Sequence, residues 1–221
     1  MWFSMTPAVP NPLQEDIRSV TGDLVRMLSL VKEACELARR GLIDQDVVAA
    51  KACIAGDDAI DAVQADLEMR VLTIIARRQP AARDLRFLGA AYQAILAIER
   101  AGDYAEHVAS AAIVLADQPP LKRYTDSQRI FEVLGRMIET TMKAFAEADL
   151  AAAQRAHAMD NEIDELYRQI QDELLTYMIE SPETVARANR LLEVARYLER
   201  LGDHIENVNE HVVFWLTGKR L

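Results

Sequence analysis

Apolar residues near the start of the chain recur three and four apart: Leu24, Met27, Leu28, Val31, Ala34, Cys35 and Ala38. That spacing lines one face of an α-helix and predicts a first helix over Leu13–Arg40, with Gly41 placed to end it as a C-cap. A second helical pattern starts near Asp44, carries Val47, Val48, Ile54, Ile60, Val63, Leu67, Val71, Leu72 and Ile75, and stops at Gln79-Pro80, where proline removes a backbone donor. A third runs over Ala82–Ala116. The stretch Asp117–Ser127 then combines two prolines with polar turn residues, the composition of a linker, and offers Thr125, Asp126 or Ser127 as the next N-cap. Helix four is expected over Ser127–Glu147, and helix five begins near Asp149 and reaches Glu180. Ser181-Pro182 supplies an N-cap and first-turn proline for helix six.

The second half repeats the first. Glu99-Arg-Ala-Gly-Asp103 returns as Glu199-Arg-Leu-Gly-Asp203, and Asp46–Thr73 aligns without a gap on Asp149–Thr176 at an offset of 103. The alignment pairs Asp57 with Asp160, Ile60 with Ile163, and Asp61 with Asp164. Short connections make helices two and three of each half antiparallel neighbours, and the remaining helix completes a three-helix bundle. The chain therefore divides into a tail at 1–12, a first bundle at 13–116, a linker at 117–126 and a second bundle at 127–221, an all-α architecture.

Composition agrees. Eight glycines and seven prolines in 221 residues are few, as long helices require. The formal charge of −10 disfavours unspecific binding to nucleic acid or anionic lipid. The basic pairs Arg39-Arg40, Arg77-Arg78 and Lys122-Arg123 are short enough to be solvated surface, helix end or partner contact. No apolar run approaches the roughly 20 residues that cross a bilayer, and the first residues lack the basic n-region of a secretory signal. Cys35 and Cys53 fit no metal-ligand spacing and read as reduced thiols filling the core of a soluble, cytoplasmic protein.

The chemistry is concentrated in carboxylates. Each copy of Glu-Arg-x-Gly-Asp sets two acids one helical turn apart, where like charges repel by a few tenths of a kcal/mol. Each copy also places a glycine mid-helix, Gly102 and Gly202, at a propensity cost of about 1 kcal/mol relative to alanine. A cation would remove the first cost, and a group close to the backbone would explain the second. The preceding helix contributes Asp57 and Asp61 in one half, Asp160 and Asp164 in the other. Asp61 lies nineteen residues before Pro80 and Glu99 nineteen after it, while Asp164 and Glu199 lie eighteen before and seventeen after Pro182. In antiparallel helices that rise about 1.5 Å per residue, such arms bring both pairs to the same height. Four carboxylates per half suit hard cations such as magnesium, manganese, calcium or iron. One turn further along the same face stand His107 and Asn207, two additional candidate ligands; His157, His204 and His211 carry no such register. Arg100 and Arg200 balance charge beside the acids. A ferritin-like di-iron oxidase requires Glu-x-x-His, which the chain lacks, and metal-assisted phosphate ester hydrolysis is the remaining enzymatic alternative. Neither a Gly-rich phosphate cradle nor a Gly-x-Ser-x-Gly elbow is present.

Arg-Arg-Gln-Pro80, Asp84-Leu-Arg-Phe87, Glu99-Arg-Ala-Gly-Asp103-Tyr, Ile163-Asp-Glu-Leu-Tyr167 and Leu198-Glu-Arg-Leu-Gly-Asp-His204 resemble, in content and order, the PhoU family of phosphate-specific transport accessory and regulatory proteins. The resemblance covers about Leu13–Lys219. It implies two three-helix bundles related by a pseudo-twofold axis, each with a multinuclear metal site: Asp57, Asp61, Glu99 and Asp103 in the first half, Asp160, Asp164, Glu199, Asp203 and Asn207 in the second. Iron, manganese, zinc or magnesium are the metals it implies. The family's usual Gly-Asp-x-Ala-x-Asn-Ile-Ala-Glu is broken in the first copy by His107 and Ser110. The second copy keeps Asn207 and Glu210 but has Ile205 and Asn209 at the alanine positions. The implied function is regulation without turnover: a cytoplasmic adaptor, possible as a homodimer, between the ATPase subunit of the phosphate ABC transporter and the sensor histidine kinase, repressing the phosphate-starvation response.

Overall fold

Six long helices account for the fold of this computed structural model, which describes residues 11–117 and 119–220. They are α1 (Pro12–Ile43), α2 (Val47–Arg78), α3 (Ala82–Ala116), α4 (Thr125–Glu147), α5 (Leu150–Glu180) and α6 (Val185–Thr217). One 3-10 turn, Pro182–Thr184, precedes α6, and no strand occurs among the described residues. Residues 1–10 of the expected tail lie outside the described residues. Asn11 and Pro12 instead start α1: the Asn11 side chain accepts the Leu13 N–H at 3.1 Å and Pro12 occupies the first turn, where its missing donor costs nothing.

The duplication extends to the caps. Asp46 accepts the Ala49 N–H at the head of α2 and Asp149 accepts the Ala152 N–H at the head of α5, both at 3.0 Å. These bonds hold both carboxyls below the usual range. At the far end of α2 and at the end of α4, Gln79 and Ala148 adopt left-handed backbone, φ 48° and 52°, which closes the last turn.

Three local expectations are corrected. Gly41 does not end α1, which runs on to Ile43 with Asp44 as C-cap. Gly41 is needed instead for contact, because a Cβ there would lie 2.8 Å from the Ala50 Cβ of α2. Ser181 gives no side-chain cap to the last helix; its carbonyl accepts the Thr184 N–H at 2.8 Å and the Thr184 hydroxyl at 2.7 Å, closing the 3-10 turn around Pro182. Thr125, Asp126 and Ser127 all lie inside α4, which follows Tyr124 without a side-chain cap. Asp126 instead pairs with Lys122 at 3.7 Å.

Helices α1, α2 and α3 pack together, as do α4, α5 and α6, and the two bundles join through α3 against α6 and α1 against α4. The rings of Phe87 and Trp215, Tyr104 and His204, and His107 and Tyr197 meet across the α3–α6 seam. Rising numbers on one helix thus meet falling numbers on the other, so α3 and α6 run antiparallel and the halves are related by a pseudo-twofold. Close approach at this seam is possible because α3 buries small residues: Ala90, Ala91, Ala94, Ala101, Ala105 and Ala109 among them. Cys35 and Cys53 are buried free thiols. Burial pushes the Cys53 thiol up to about 12, and that of Cys35 higher still, so both remain protonated and inert. No described helix is long and apolar enough to cross a membrane.

Candidate metal centre

Helices α5 and α6 carry the second-half acids on facing sides. Asp160 and Asp164 lie one turn apart on α5; Glu199, Asp203 and Glu206 form a stripe with four- and three-residue spacing on α6. Two trios converge there, Asp160–Asp203–Glu206 and Asp164–Glu199–Asp203, each offering oxygens within 4.8 Å of one another. Asp203 belongs to both. A carboxylate shared in this way has the two oxygens needed to bridge a pair of cations.

Burial and mutual repulsion make the cluster unfavourable without a cation. Asp160 is buried, and burial followed by the charges of Glu206, Asp203, Asp164 and Glu199 pushes its carboxyl up to about 7. Glu199, Asp203 and Glu206 are raised in the same direction, chiefly by burial. Asp160 Oδ1 and Glu199 Oε2 are buried oxygens without a hydrogen-bond partner, a state that costs about 1–3 kcal/mol for a neutral group and more for a charged one. Arg200 offsets part of this, with Nη1 at 3.1 Å from Asp203 Oδ2. Its Nε lies 3.4 Å from Glu199 Oε2 but is not aligned to donate to it. His157 brings Nδ1 within 3.2 Å of Glu206 Oε1. An all-oxygen donor set with orphaned, mutually repelling carboxylates fits a hard divalent or trivalent cation.

Gly202 makes the convergence possible. A Cβ there would stand 2.6 Å from Asp160 Oδ1 and 2.9 Å from Ile163 Cδ1, so any side chain would displace the buried carboxylate. At the equivalent Gly102 the nearest atom is Ile60 Cδ1, at 2.8 Å, and Asp57 Oδ1 stands back at 3.6 Å.

The first half is the same constellation held more loosely. Asp57 is half-buried and pushed up to about 6 by burial, then by Asp103, Asp61 and Glu106; Glu99 is raised by burial and by Asp103. These five acids therefore feel one another across α2 and α3. Asp61 is exposed, however, and among the described residues no first-half trio has oxygens within 4.8 Å. Arg100 repeats the role of Arg200, with Nη1 at 3.1 Å from Asp103 Oδ2.

His107 stands exposed at the α3–α6 seam, its ring against Tyr104 at 5.8 Å and Tyr197 at 5.2 Å, and among the described residues it joins no trio of converging ligand atoms. Asn207 is half-buried, one residue past Glu206. Glu206 and its counterpart Glu106 were missed by stepping four residues from the aspartate. A step of three finds both, just past the end of each repeated Glu-Arg-x-Gly-Asp segment.

The family model described as PhoU domain matches the chain twice, over residues 24–112 and 128–212. A Deinococcus radiodurans protein named phosphate-specific transport system accessory protein PhoU homolog is 40% identical over 208 residues, 94% of this chain and 98% of that protein. An Aquifex aeolicus protein of the same name is 37% identical over 188 residues, 85% of each. The crystal structure of PhoU from Pseudomonas aeruginosa superposes with a TM-score of 0.89 at 31% identity, covering 93% of this chain and 99% of that one. The phosphate transport system regulatory protein PhoU from Streptococcus pneumoniae, 23% identical, shares the fold at a TM-score of 0.88 over 95% of this chain and 99% of its own. These names are those of accessory and regulatory proteins, not of enzymes.

Proposed function

The chain belongs to the PhoU family, and on that premise we propose that it is a metal-binding regulator of phosphate uptake and signalling. In this reading it connects the ATPase subunit of the phosphate ABC transporter with the sensor histidine kinase of the phosphate response and represses that response when phosphate is plentiful. The relatives' name, accessory protein of the phosphate-specific transport system, supports the transporter side. The observation that carries the metal is the convergence of Asp160, Asp164, Glu199, Asp203 and Glu206 around two unpartnered buried oxygens.

The residues themselves have a structural task. A cation bound among the second-half acids would tie α5 to α6 through charge where repulsion otherwise pushes them apart, and so fix the outer faces that partners recognise. Asp57, Asp61, Glu99 and Asp103 form the weaker equivalent, with His107 as a further candidate ligand. Iron, manganese, zinc and magnesium are the candidates; the oxygen-only donors of the second half favour the harder ions over zinc.

Affinity capture with the tagged full chain from cells of its own organism, grown with and without phosphate, tests the adaptor. Transporter ATPase and sensor kinase are expected with the wild type and are expected to be lost with Glu199→Ala/Asp203→Ala. Recovery of neither protein in either growth condition would sink the reading.

A further inference from the structure

His157 lies on α5 one turn before Asp160, on the side that faces α6. Its Nδ1 stands 3.2 Å from Glu206 Oε1, and Glu206 belongs to the Asp160–Asp203–Glu206 trio. Nδ1 is a buried atom, yet among the described residues it has no hydrogen-bond partner, Glu206 included. Oδ1 of Asp160, a residue only 6% exposed, is orphaned in the same way where it faces Gly202 of α6. A buried nitrogen and a buried oxygen thus stand unsatisfied one turn apart, beside carboxylates that already converge.

A histidine beside a glutamate serves either as its hydrogen-bond donor or as its fellow ligand. A donor directs Nδ1–H at the carboxylate, and here Nδ1 is not aligned to do so. A ligand presents its lone pair to a cation that the glutamate also holds. Two ligand atoms at right angles on one cation, with bonds of about 2.1 Å, lie about 3.0 Å apart, close to the 3.2 Å between Nδ1 and Oε1. The His157 side chain is 30% exposed, so water can serve Nε2 and leave the Nδ1 lone pair for an ion. Nδ1 stands outside both trios as they sit, and Glu206, with two carboxylate oxygens, links it to them.

We infer, on the reading that the α5 and α6 acids hold metal, that His157 is a further ligand there, with Nδ1 and Glu206 Oε1 at adjacent positions of one cation. The nitrogen belongs to one half only. At the repeat offset of 103 the equivalent of His157 is Ile54, a half-buried residue packed on the core. Asp57, Asp61, Glu99 and Asp103 therefore gain no equivalent nitrogen from α2. Carboxylates suit magnesium, calcium and manganese, whereas imidazole suits iron and zinc. His157 tempers the oxygen preference of the second-half acids toward ions that accept imidazole and against magnesium, and so sets the two halves apart in the metal they select.

Pulsed electron paramagnetic resonance of the manganese-loaded full chain tests this, in a His107→Ala background that removes the other candidate imidazole. Coupling of manganese to a directly bound nitrogen is expected. It is expected to vanish with His157→Ile, which installs the residue of the other half, and with His157→Gln, which keeps a donor for Glu206 but no ligating nitrogen. Zinc affinity, measured by competition with a chromophoric chelator, is expected to fall roughly tenfold or more in both variants, while magnesium affinity stays within about twofold. Unchanged far-ultraviolet circular dichroism and thermal midpoint keep loss of a ligand apart from loss of the fold. Nitrogen coupling that is absent from the starting protein or survives in His157→Ile, or zinc affinity equal to that of the starting protein, would overturn the inference and leave the acidic site standing. Manganese content unaffected by Glu199→Ala/Asp203→Ala would instead remove the site itself, and the role of His157 with it.

Discussion

Gly202→Ala separates a glycine that serves the acidic cluster from one that merely tolerates a helix. The new Cβ would stand 2.6 Å from Asp160 Oδ1 and 2.9 Å from Ile163 Cδ1. The isoleucine methyl can rotate away, but the buried aspartate has little room to move. Alanine should stabilise an open helical position by about 0.5–1 kcal/mol, while overpacking a filled one costs about 1–3 kcal/mol. Gly22→Ala supplies the open reference, since nothing lies within 4 Å of its added Cβ and the site is exposed. The two variants should therefore differ by about 1–3 kcal/mol, or roughly 3–9 °C at about 3 °C per kcal/mol for a chain of this size. Thermal unfolding of metal-free protein reads the difference, and elemental analysis after metal loading reads the site. Gly202→Ala should lower metal content, whereas Gly102→Ala, whose Cβ meets the movable Ile60 methyl at 2.8 Å and stands 3.6 Å from Asp57 Oδ1, should cost less stability and leave metal content closer to wild type. A Gly202→Ala protein as stable as Gly22→Ala with full metal content would refute the role given to the glycine.

The pH dependence of metal-free stability should run opposite to that of ordinary paired acids. Asp160 and Asp57 titrate near 7 and 6 in the folded chain against 3.8 unfolded. The folded state thus binds more protons over that interval, and stability falls as pH rises through it. Urea midpoints in chelator should be higher near pH 5 than near pH 8, and added cation should reverse the order by favouring the ionised carboxylates. Glu206→Ala should lower the metal bound by the second half, measured by elemental analysis, more than Glu106→Ala lowers that of the first, because only Glu206 belongs to a closed trio. In the core, Asn209 donates to the Thr141 hydroxyl and to the Ile205 carbonyl, both at 2.8 Å, while its own oxygen has no partner. Thr141→Val alone should cost about 1–3 kcal/mol in urea unfolding by stranding an amide hydrogen, whereas Thr141→Val/Asn209→Leu should lie within about 1 kcal/mol of wild type.

Periodicity and repetition made the architecture legible. The three-four spacing of apolar residues placed a first helix over Leu13–Arg40, within the observed Pro12–Ile43, and the aligned Asp46 and Asp149 are matching caps. Helix ends were harder, because Gly41, Thr125 and Ser181 have the composition of caps while tertiary contact decides whether they act as such. Gly41 is held to a contact with Ala50 that no local pattern contains. At the acidic site, equal hairpin arms brought Asp160 and Asp164 opposite Glu199 and Asp203. The looser geometry of the first half was not readable, since it depends on how far Asp61 and Asp57 turn toward solvent. Glu206 was readable in principle: it completes a stripe four and then three residues on from Glu199, and its proximity to His157 appears only in the fold.

Anomalous scattering from crystals of the full chain soaked in manganese tests most directly whether the duplicated acids trap cations. A peak enclosed by carboxylate oxygens of Asp160, Asp164, Glu199, Asp203 and Glu206 is the expected result, with a weaker or absent one among Asp57, Asp61, Glu99 and Asp103. An empty second-half cluster in crystals that bind manganese elsewhere on the chain would contradict it.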